Sequence, residues 1–317
     1  MSRAGRRGRR RAGVRVEARA KLNLGLAVGP RRADGFHDLA TVFQSISLAD
    51  TLLVTPRARG FTLRVRHEDA SLNRRGGREA RRVPAGRANL VLAAARLLAR
   101  ERGLRGGARF ELVKRIPVGA GLGGGSADAA AALRGLAALH GLRLDRPARL
   151  DLAARLGSDV PFAIAGGTAV GLGRGEKLRS VRLARPFRAL LAVPRWRVTT
   201  AIAYQQLDRN KYGLTGWGAK LRFAQSLGRK SVTASRAMEL GNSFESALGR
   251  RTASFDSLRE RLEAYGILRT RLTGSGSAVF ALLPPRVSAA AIARRFAGDE
   301  ALYEVTSERV GARLLRF

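Results

Sequence analysis

Cysteine is absent from the 317 residues. That excludes disulfides, thiolate metal sites and a cysteine nucleophile, and it fits a reducing compartment. No apolar run approaches the roughly 18 residues of a membrane helix, and "RALLAV" (188–193) has only the length of a strand. Aromatic residues make up 6% of the chain, without the RNP-type aromatic pattern, zinc-finger spacing or long basic helix that marks a nucleic-acid reader. Acidic residues are scarce too: 24 Asp and Glu stand against 60 Lys and Arg, a formal net charge of +36. Lysine supplies six of these 60, which leaves 54 arginines spread over nearly every segment. The expectation is a solvated cationic surface that attracts polyanions such as nucleotides, with no specific nucleic acid and no membrane as partner. The head "MSRAGRRGRRRAG" (1–13) has no apolar stretch of the kind a secretory signal carries, and is expected to be a disordered basic arm.

With 45% hydrophobic residues, the remainder reads as a folded chain of two lobes at about 150 residues per domain. Alternating segments 14–29, 61–68 and 108–117 read as strands, and 31–54 as a D-G turn followed by extended chain. "NLVLAAARLLARERG" (89–103) has helical spacing and a closing Gly103. A glycine run at 117–126 leads into an alanine-rich helix to about His140, with Ser126 expected as its N-cap. Residues 146–157 form a further helix, and 158–178 reads as strands joined by glycine turns. Beyond Pro194, "TTAIAYQQLD" and "SVTASRAMELGNSFESALG" look helical. The alternating stretch 268–283 encloses another glycine turn before a last helix and strand. The order is α+β, with a β-rich lobe over 14–185 and a helix-rich lobe over 186–317.

"PVGAGLGGGSADAAAAL" (117–133) carries the chemistry. Glycines there let backbone N–H groups approach an anion that side chains would block. Gly119, Gly121 and Gly124 match G-x-G-x-x-G, but some 116 residues of mostly β character precede them and no acid-tipped parallel strand follows, as a dinucleotide fold requires. Gly125-Ser126 stands where a P-loop needs Lys-Ser/Thr. A helix-start phosphate site and a purely structural turn remain.

P-x-x-x-G-L-G-x-x-S before an Ala-rich helix resembles the central motif of the GHMP kinases. "AKLNLGLAVGPRRADGFHDLATVFQSISLADTL" (20–52), "GSDVPFAIAGGTAVGLGRGEKL" (157–178) and "RLTGSGSAVFALL" (271–283) resemble one branch of that family, in the family's order. That branch phosphorylates the 2-hydroxyl of 4-diphosphocytidyl-2-C-methyl-D-erythritol with ATP and Mg²⁺ in the non-mevalonate isoprenoid pathway. The resemblance covers most of 14–317 and implies the two-lobed GHMP kinase fold. It also implies a cytoplasmic enzyme, monomer or homodimer, whose N-terminal lobe binds ATP.

Residue by residue, the resemblance implies Asp159 as catalytic base, with Lys21 beside it to stabilise developing charge. An Asp before Val160-Pro161 also suits a helix cap, and Lys21 stands on an otherwise apolar strand where an inward ammonium needs a partner. Asn23 shares the face of Lys21 and is expected to hydrogen-bond the substrate. Phe36 and His37 match the family's cytidine-binding pair, the ring stacking on the pyrimidine and the His bonding its edge; tyrosine is commoner at Phe36. Thr200 aligns with a substrate-contacting threonine. On the nucleotide side the resemblance implies Pro117, Val118, Gly119, Ala120, Gly121, Leu122, Gly123, Gly124, Gly125, Ser126 and Ala127 around the phosphates, together with Gly274, Ser275 and Gly276 of the second glycine turn. Asn89 occupies the adenine-recognition position and is equally a good helix N-cap, and Lys114 resembles a residue near the nucleotide. Ser126 can cap the helix, hold the metal, or both. The Gly/Arg-rich stretch 71–87 and the basic head depart from the family pattern.

Overall fold

The computed structural model describes residues 13–76, 83–210, 216–227 and 231–315. The expected basic head, apart from Gly13, lies outside the described residues, as do 77–82 within the Gly/Arg-rich stretch. Alternating segments at the N-terminus form one long antiparallel hairpin, β1 (Val14–Arg31) and β2 (His37–Arg57). β1 alternates in burial at first, then is buried without a break from Ala20 to Gly29. The change has a packing cause. The second half of β1 is covered by C-terminal segments, where a Cβ on Gly25 would stand 2.6 Å from Ala237 O and one on Gly29 would strike the Trp217 ring at 2.6 Å. Lys21 and Asn23 fall inside this doubly covered stretch.

β2 is the hub of the sheet. One edge pairs with β1, and the other is shared by three strands in turn. β5 (Thr168–Gly173) takes 39–44, β10 (Ala301–Glu308) touches 45–46, and β4 (Gly107–Lys114) takes 51–57. β3 (Phe61–His67) runs parallel to β4, and β6 (Lys177–Val181) pairs with β5. A second antiparallel sheet in the order β10, β7 (Arg188–Val193), β9 (Val279–Leu282), β8 (Thr270–Leu272) continues from the β10 contact. β11 (Arg313–Leu315) closes on β1. The helix-rich second half therefore also carries a four-stranded sheet.

Two helices lie against the first sheet. α1 (Leu90–Arg102) starts at the Asn89 cap, whose side chain accepts from Val91 N, and stops at Gly103 with φ +59°. α2 (Gly124–Leu139) presents alanine and glycine to the sheet, and this lets its axis come close: a Cβ on Gly135 would lie 2.7 Å from Val54 Cγ2 and 3.1 Å from Val16 Cγ2. α3 (Arg146–Ala154) is capped by Asp145, which accepts from Ala148 N. Residues 158–178 do not run straight into strands, because α4 (Val160–Ala165) precedes β5. Among the C-terminal helices, α5 (Thr200–Asn210) and α6 (Trp217–Ser226) are followed by α7 (Ala234–Met238). α7 ends short of the expected helix because Gly241, at φ +70°, turns the chain into a 3-10 turn over Ser243–Ala247. α8 (Thr252–Glu263) and α9 (Ala289–Arg295) complete the set.

The tight seat of α2 is testable. Alanine at Gly135 gains about 1 kcal/mol of helix propensity, but its methyl overpacks the Val54 and Val16 contact at a cost of about 1–3 kcal/mol. Gly135→Ala is expected to lower the urea midpoint of unfolding; an unchanged or raised midpoint would refute the close approach.

Candidate active site

A cavity of about 1070 Å³ opens between the hairpin, the glycine loop and α5. Lys21, Asn23, Phe36, His37, Asn89, Lys114, residues 117–126, Asp159, Thr200, Gly274 and Ser275 all line it, although the sequence scatters them over 255 positions. Of the expected residues, Ala127 and Gly276 do not: Ala127 is buried in α2, and Gly276 packs on Leu272.

The glycine loop enters α2 by a route that corrects one expectation. Ser126 is not the N-cap. Gly123 holds that position at φ +70°, with no side chain bonded to the first-turn N–H groups, and Ser126 is the third helical residue. A left-handed entry excludes a serine cap and leaves the donors of the first turn to a ligand, with the positive end of the helix dipole behind them. The loop is pinned on two sides by Lys21 N donating to Leu122 O (3.0 Å) and Ala278 N to Ala120 O (3.0 Å). Gly121, at φ +79°, comes so near the second glycine turn that a Cβ would lie 2.2 Å from Thr273 O. Thr200, at the start of α5, meets the same turn, its Oγ1 lying 3.2 Å from Ser275 Oγ.

Lys21 Nζ stands 3.6 Å from Asp159 Oδ2 and donates to Asn23 Oδ1 at 2.5 Å. Asp159 occupies the cap position of α4, yet its carboxylate makes no cap hydrogen bond. It turns to Lys21 instead. Asn23 passes the constraint on, since its Nδ2 donates to Thr41 Oγ1 (2.7 Å), which donates to Gly25 O (2.7 Å). The expected shared face of Lys21 and Asn23 is present, with the amide engaged in holding the ammonium. Burial lowers the Lys21 pKa from its ordinary value, and the Asp159 charge acts in the opposite direction.

At the far end of the cavity, Phe36 is 50% exposed, and the Arg174 guanidinium carbon lies 4.7 Å from its ring centroid. His37 is buried, and both ring nitrogens face protein: Nδ1 lies 2.9 Å from Gly29 O and Nε2 3.2 Å from Asp208 Oδ1. Without a ligand, both ring nitrogens are therefore engaged within the protein, although the residue lines the cavity. Tyr204 stacks on His37 with centroids 5.1 Å apart and lines the cavity. Its phenol is pushed up to about 12 by burial and by the Asp159 charge, so the hydroxyl stays protonated. Sequence reasoning missed Tyr204 and Asp208, although both follow Thr200 at four-residue steps, the spacing of one helix face.

The structure gives Asn89 the cap role. Its Oδ1 accepts from Val91 N (2.8 Å), and its Nδ2 donates to Pro84 O (2.7 Å), tying the end of the 71–87 stretch to α1. Lys114, which lines the cavity, is also the centre of a buried cluster. Its ammonium bonds Asp50 Oδ2 and Asp128 Oδ2, the latter at 2.7 Å, while Asp50 Oδ1 accepts from Arg115 N (2.5 Å) and Ile116 N (2.8 Å). Asp50 is fully buried and Asp128 nearly so. Burial works against the charge on Lys114, but Asp128 and Asp50 outweigh it and raise the ammonium above its usual range. Burial, with Asp50 adding to it and Lys114 opposing, holds the Asp128 carboxyl well above the usual carboxylate range. Neither aspartate was legible as a site residue; each is one polar position in an apolar run.

Lys114→Met leaves two carboxylates buried without their counter-charge, a loss of about 3–5 kcal/mol. Asp128 has a folded-state pKa raised above its unfolded value of about 3.9, so its contribution is full below that value and lost as pH rises through the folded pKa. Losing the ammonium raises that pKa further, so urea unfolding of the variant should show a larger deficit at pH 8 than at pH 5. Equal deficits at the two pH values would contradict the charge cluster.

Residues 89–167 match the GHMP kinases N terminal domain and 226–300 the GHMP kinases C terminal domain. A 4-diphosphocytidyl-2-C-methyl-D-erythritol kinase of Pelotomaculum thermopropionicum is 38% identical over 280 residues, which cover 88% of this chain and 92% of that one. Its counterpart in Rhodococcus jostii is 40% identical over 291 residues, 90% and 88% of the two chains. A crystal structure of a 4-(cytidine 5'-diphospho)-2C-methyl-D-erythritol kinase superposes with a TM-score of 0.68 at 34% identity, covering 92% of this chain and 98% of its own. Glycine loop, lysine–aspartate pair, two domain matches and near full-length relatives converge: the chain belongs to the 4-diphosphocytidyl-2-C-methyl-D-erythritol kinase family of the GHMP kinases and is a small-molecule kinase.

Proposed function

We propose that this chain transfers the γ-phosphoryl group of ATP to the 2-hydroxyl of 4-diphosphocytidyl-2-C-methyl-D-erythritol, with Asp159 as the base. The observation that carries the reading is the Lys21–Asp159 pair, 3.6 Å apart in the wall of the cavity that the glycine loop also lines. The triphosphate lies along the uncapped start of α2, where the Gly121–Gly124 backbone approaches without Cβ interference. Asp159 accepts the hydroxyl proton as the oxygen attacks the γ-phosphorus. The new O–P bond forms as the bond to the bridging oxygen breaks, and ADP leaves. Lys21, fixed by Asn23 and Thr41, neutralises the charge that builds up on the transferring group. Phe36 and Tyr204 offer aromatic surface to the cytosine, with Asp208 and Thr200 beside them in the same wall.

The Ser126 hydroxyl suits a Mg²⁺ ion shared with the phosphates. The Ser126 hydroxyl is released from capping by Gly123, and Mg²⁺ commonly takes one or two protein oxygens plus phosphate oxygens. When bound, the ion supplies charge neutralisation across the phosphate oxygens. Among the described residues no cluster of three or more His, Cys, Asp or Glu could hold a metal by itself, so nucleotide and ion would bind together. We place the lobe division near residue 185, between β6 and β7, and the reaction in the cytoplasm, where ATP and such a metabolite meet. Among the described residues no helix is long and apolar enough to cross a membrane.

The reading is tested by ADP release with ATP-Mg²⁺ and, in separate assays, the cytidylyl substrate, mevalonate and homoserine. Turnover is expected with the first alone; ADP release only with another acceptor would overturn the assignment. Asp159→Asn should lower kcat by about 10²–10⁴-fold, the range of general-base catalysis, while leaving ATP affinity unchanged. Wild-type kcat in that variant would remove Asp159 from the base role.

A further inference from the structure

The 3-10 turn over Ser243–Ala247 and its cap Asn242 connect the two ends of the cleft. Gly241 O accepts from Leu26 N (2.8 Å) and Ser243 Oγ from Val28 N (3.1 Å), which fastens the turn to the covered half of β1. Phe244 lines the cavity and meets Tyr204 edge-on, with ring centroids 5.0 Å apart. The same turn also grips the second glycine turn. Leu272 N donates to Glu245 Oε1 (2.9 Å), and the buried Asn242 Nδ2 donates to Leu272 O (2.8 Å) and Gly274 O (3.0 Å). Asn242 Oδ1 accepts from Phe244 N (2.9 Å). The amide is thereby fixed in orientation, its oxygen on a donor and its nitrogen on two acceptors.

We infer that Asn242 is a positioning residue for phosphoryl transfer, one that holds the Gly274 carbonyl so that the next N–H faces the nucleotide phosphates. The Gly274–Ser275 peptide is planar and trans, so its N–H points opposite to its C=O. Asn242 takes the carbonyl, and the Ser275 N–H is thereby turned away from Asn242, in a residue that lines the cavity. Among the described residues this N–H has no acceptor. Its orientation matters because of where the peptide sits. A Cβ on Gly274 would stand 3.0 Å from Gly121 O in the first glycine loop and 3.4 Å from Lys21 Nζ. Gly274, at φ +59°, could let the peptide flip at little steric cost, and a flip would offer the phosphates a carbonyl oxygen in place of a donor. Thr273 is fastened separately, its Oγ1 accepting from Asn23 N (2.9 Å). Asn242 therefore sets the direction of one peptide, while β1 sets the place of the turn.

This role rests on the triphosphate seat of the proposed function but not on which acceptor is phosphorylated. The full chain is titrated calorimetrically with a non-hydrolysable ATP analogue and Mg²⁺ and, separately, with the cytidylyl substrate. Asn242→Asp keeps the shape and the cap on Phe244 N but sets an oxygen against both carbonyls. It is expected to weaken the analogue at least about tenfold and to leave the affinity for the cytidylyl substrate unchanged. Asn73→Asp is the control. Asn73 bridges Glu300 O (2.8 Å) and Leu302 N (3.2 Å) in the same manner outside the cavity, so its replacement should not change analogue binding. Wild-type affinity for the analogue in Asn242→Asp would overturn the role. Equal weakening of both ligands, or equal weakening by Asn73→Asp, marks a general loss of structure and overturns it as well. If the unaltered chain binds the analogue but not the cytidylyl substrate, the acceptor assignment fails and the contrast with Asn73→Asp decides the role. If it does not bind the analogue, the role falls with the ATP reading. A thermal melt identifies unfolding; should Asn242→Asp not fold, Asn242→Ser, which keeps a cap oxygen but has one donor for two carbonyls, carries the comparison.

Discussion

One backbone hydrogen bond sets the scale of the cleft: Lys21 N to Leu122 O. It joins the middle of β1 to the glycine loop in a fixed register. Two consequences follow from that register. The Lys21 side chain passes so close beneath Gly123 that a Cβ there would lie 3.0 Å from Lys21 Cγ, so the loop must be glycine at the point where it turns into α2. The ammonium then emerges between the helix start and Asp159. Under the proposed function, an anion at the helix start and a hydroxyl beside Asp159 would share this one cation, which suits the charge stabilisation of phosphoryl transfer.

Two of the six lysines are buried in this centre, and they are handled in opposite ways. Lys114 has two carboxylates against it and is held charged; it is a structural cation that ties β4 to β2 and α2. Lys21 has a single carboxylate at longer range and is pushed toward the neutral form by burial. Its charge is therefore under-compensated in the protein alone. A buried cation that lacks full compensation gains most from an incoming anion, whereas one that is fully paired gains little. The contrast separates an under-compensated cation from a fully paired one, which sequence position alone does not.

Where the physics is local, the sequence is legible. α1 can be bounded to the residue because Asn89 and Gly103 act through their own backbone neighbours. The first half of β1 follows from alternation with burial on one face. The glycine loop and its helix are equally plain, but Ser126 is not the cap that its sequence context suggests. A serine before an alanine run is a good cap in isolation, and only the left-handed turn at Gly123 moves the helix start upstream. The stretch 231–249 departs from expectation for a related reason, since Gly241 interrupts a segment whose composition is otherwise helical.

Glycine spacing, the "ADGFHDL" and "GSDVPF" segments and the lone lysine on an apolar strand determine the family and the chemistry, because backbone approach to phosphate and an acid beside a cation are requirements that residue type alone can express. Tertiary structure decided the rest. Asp50 meets Lys114 across 64 positions of sequence and Asp128 across 14. The His37 ring meets Gly29 and Asp208, the latter 171 positions away in the sequence. Such pairings leave no periodic or local trace, since the Coulomb and desolvation energies that fix them depend on distance in space and on exclusion of water, and neither is written along the chain.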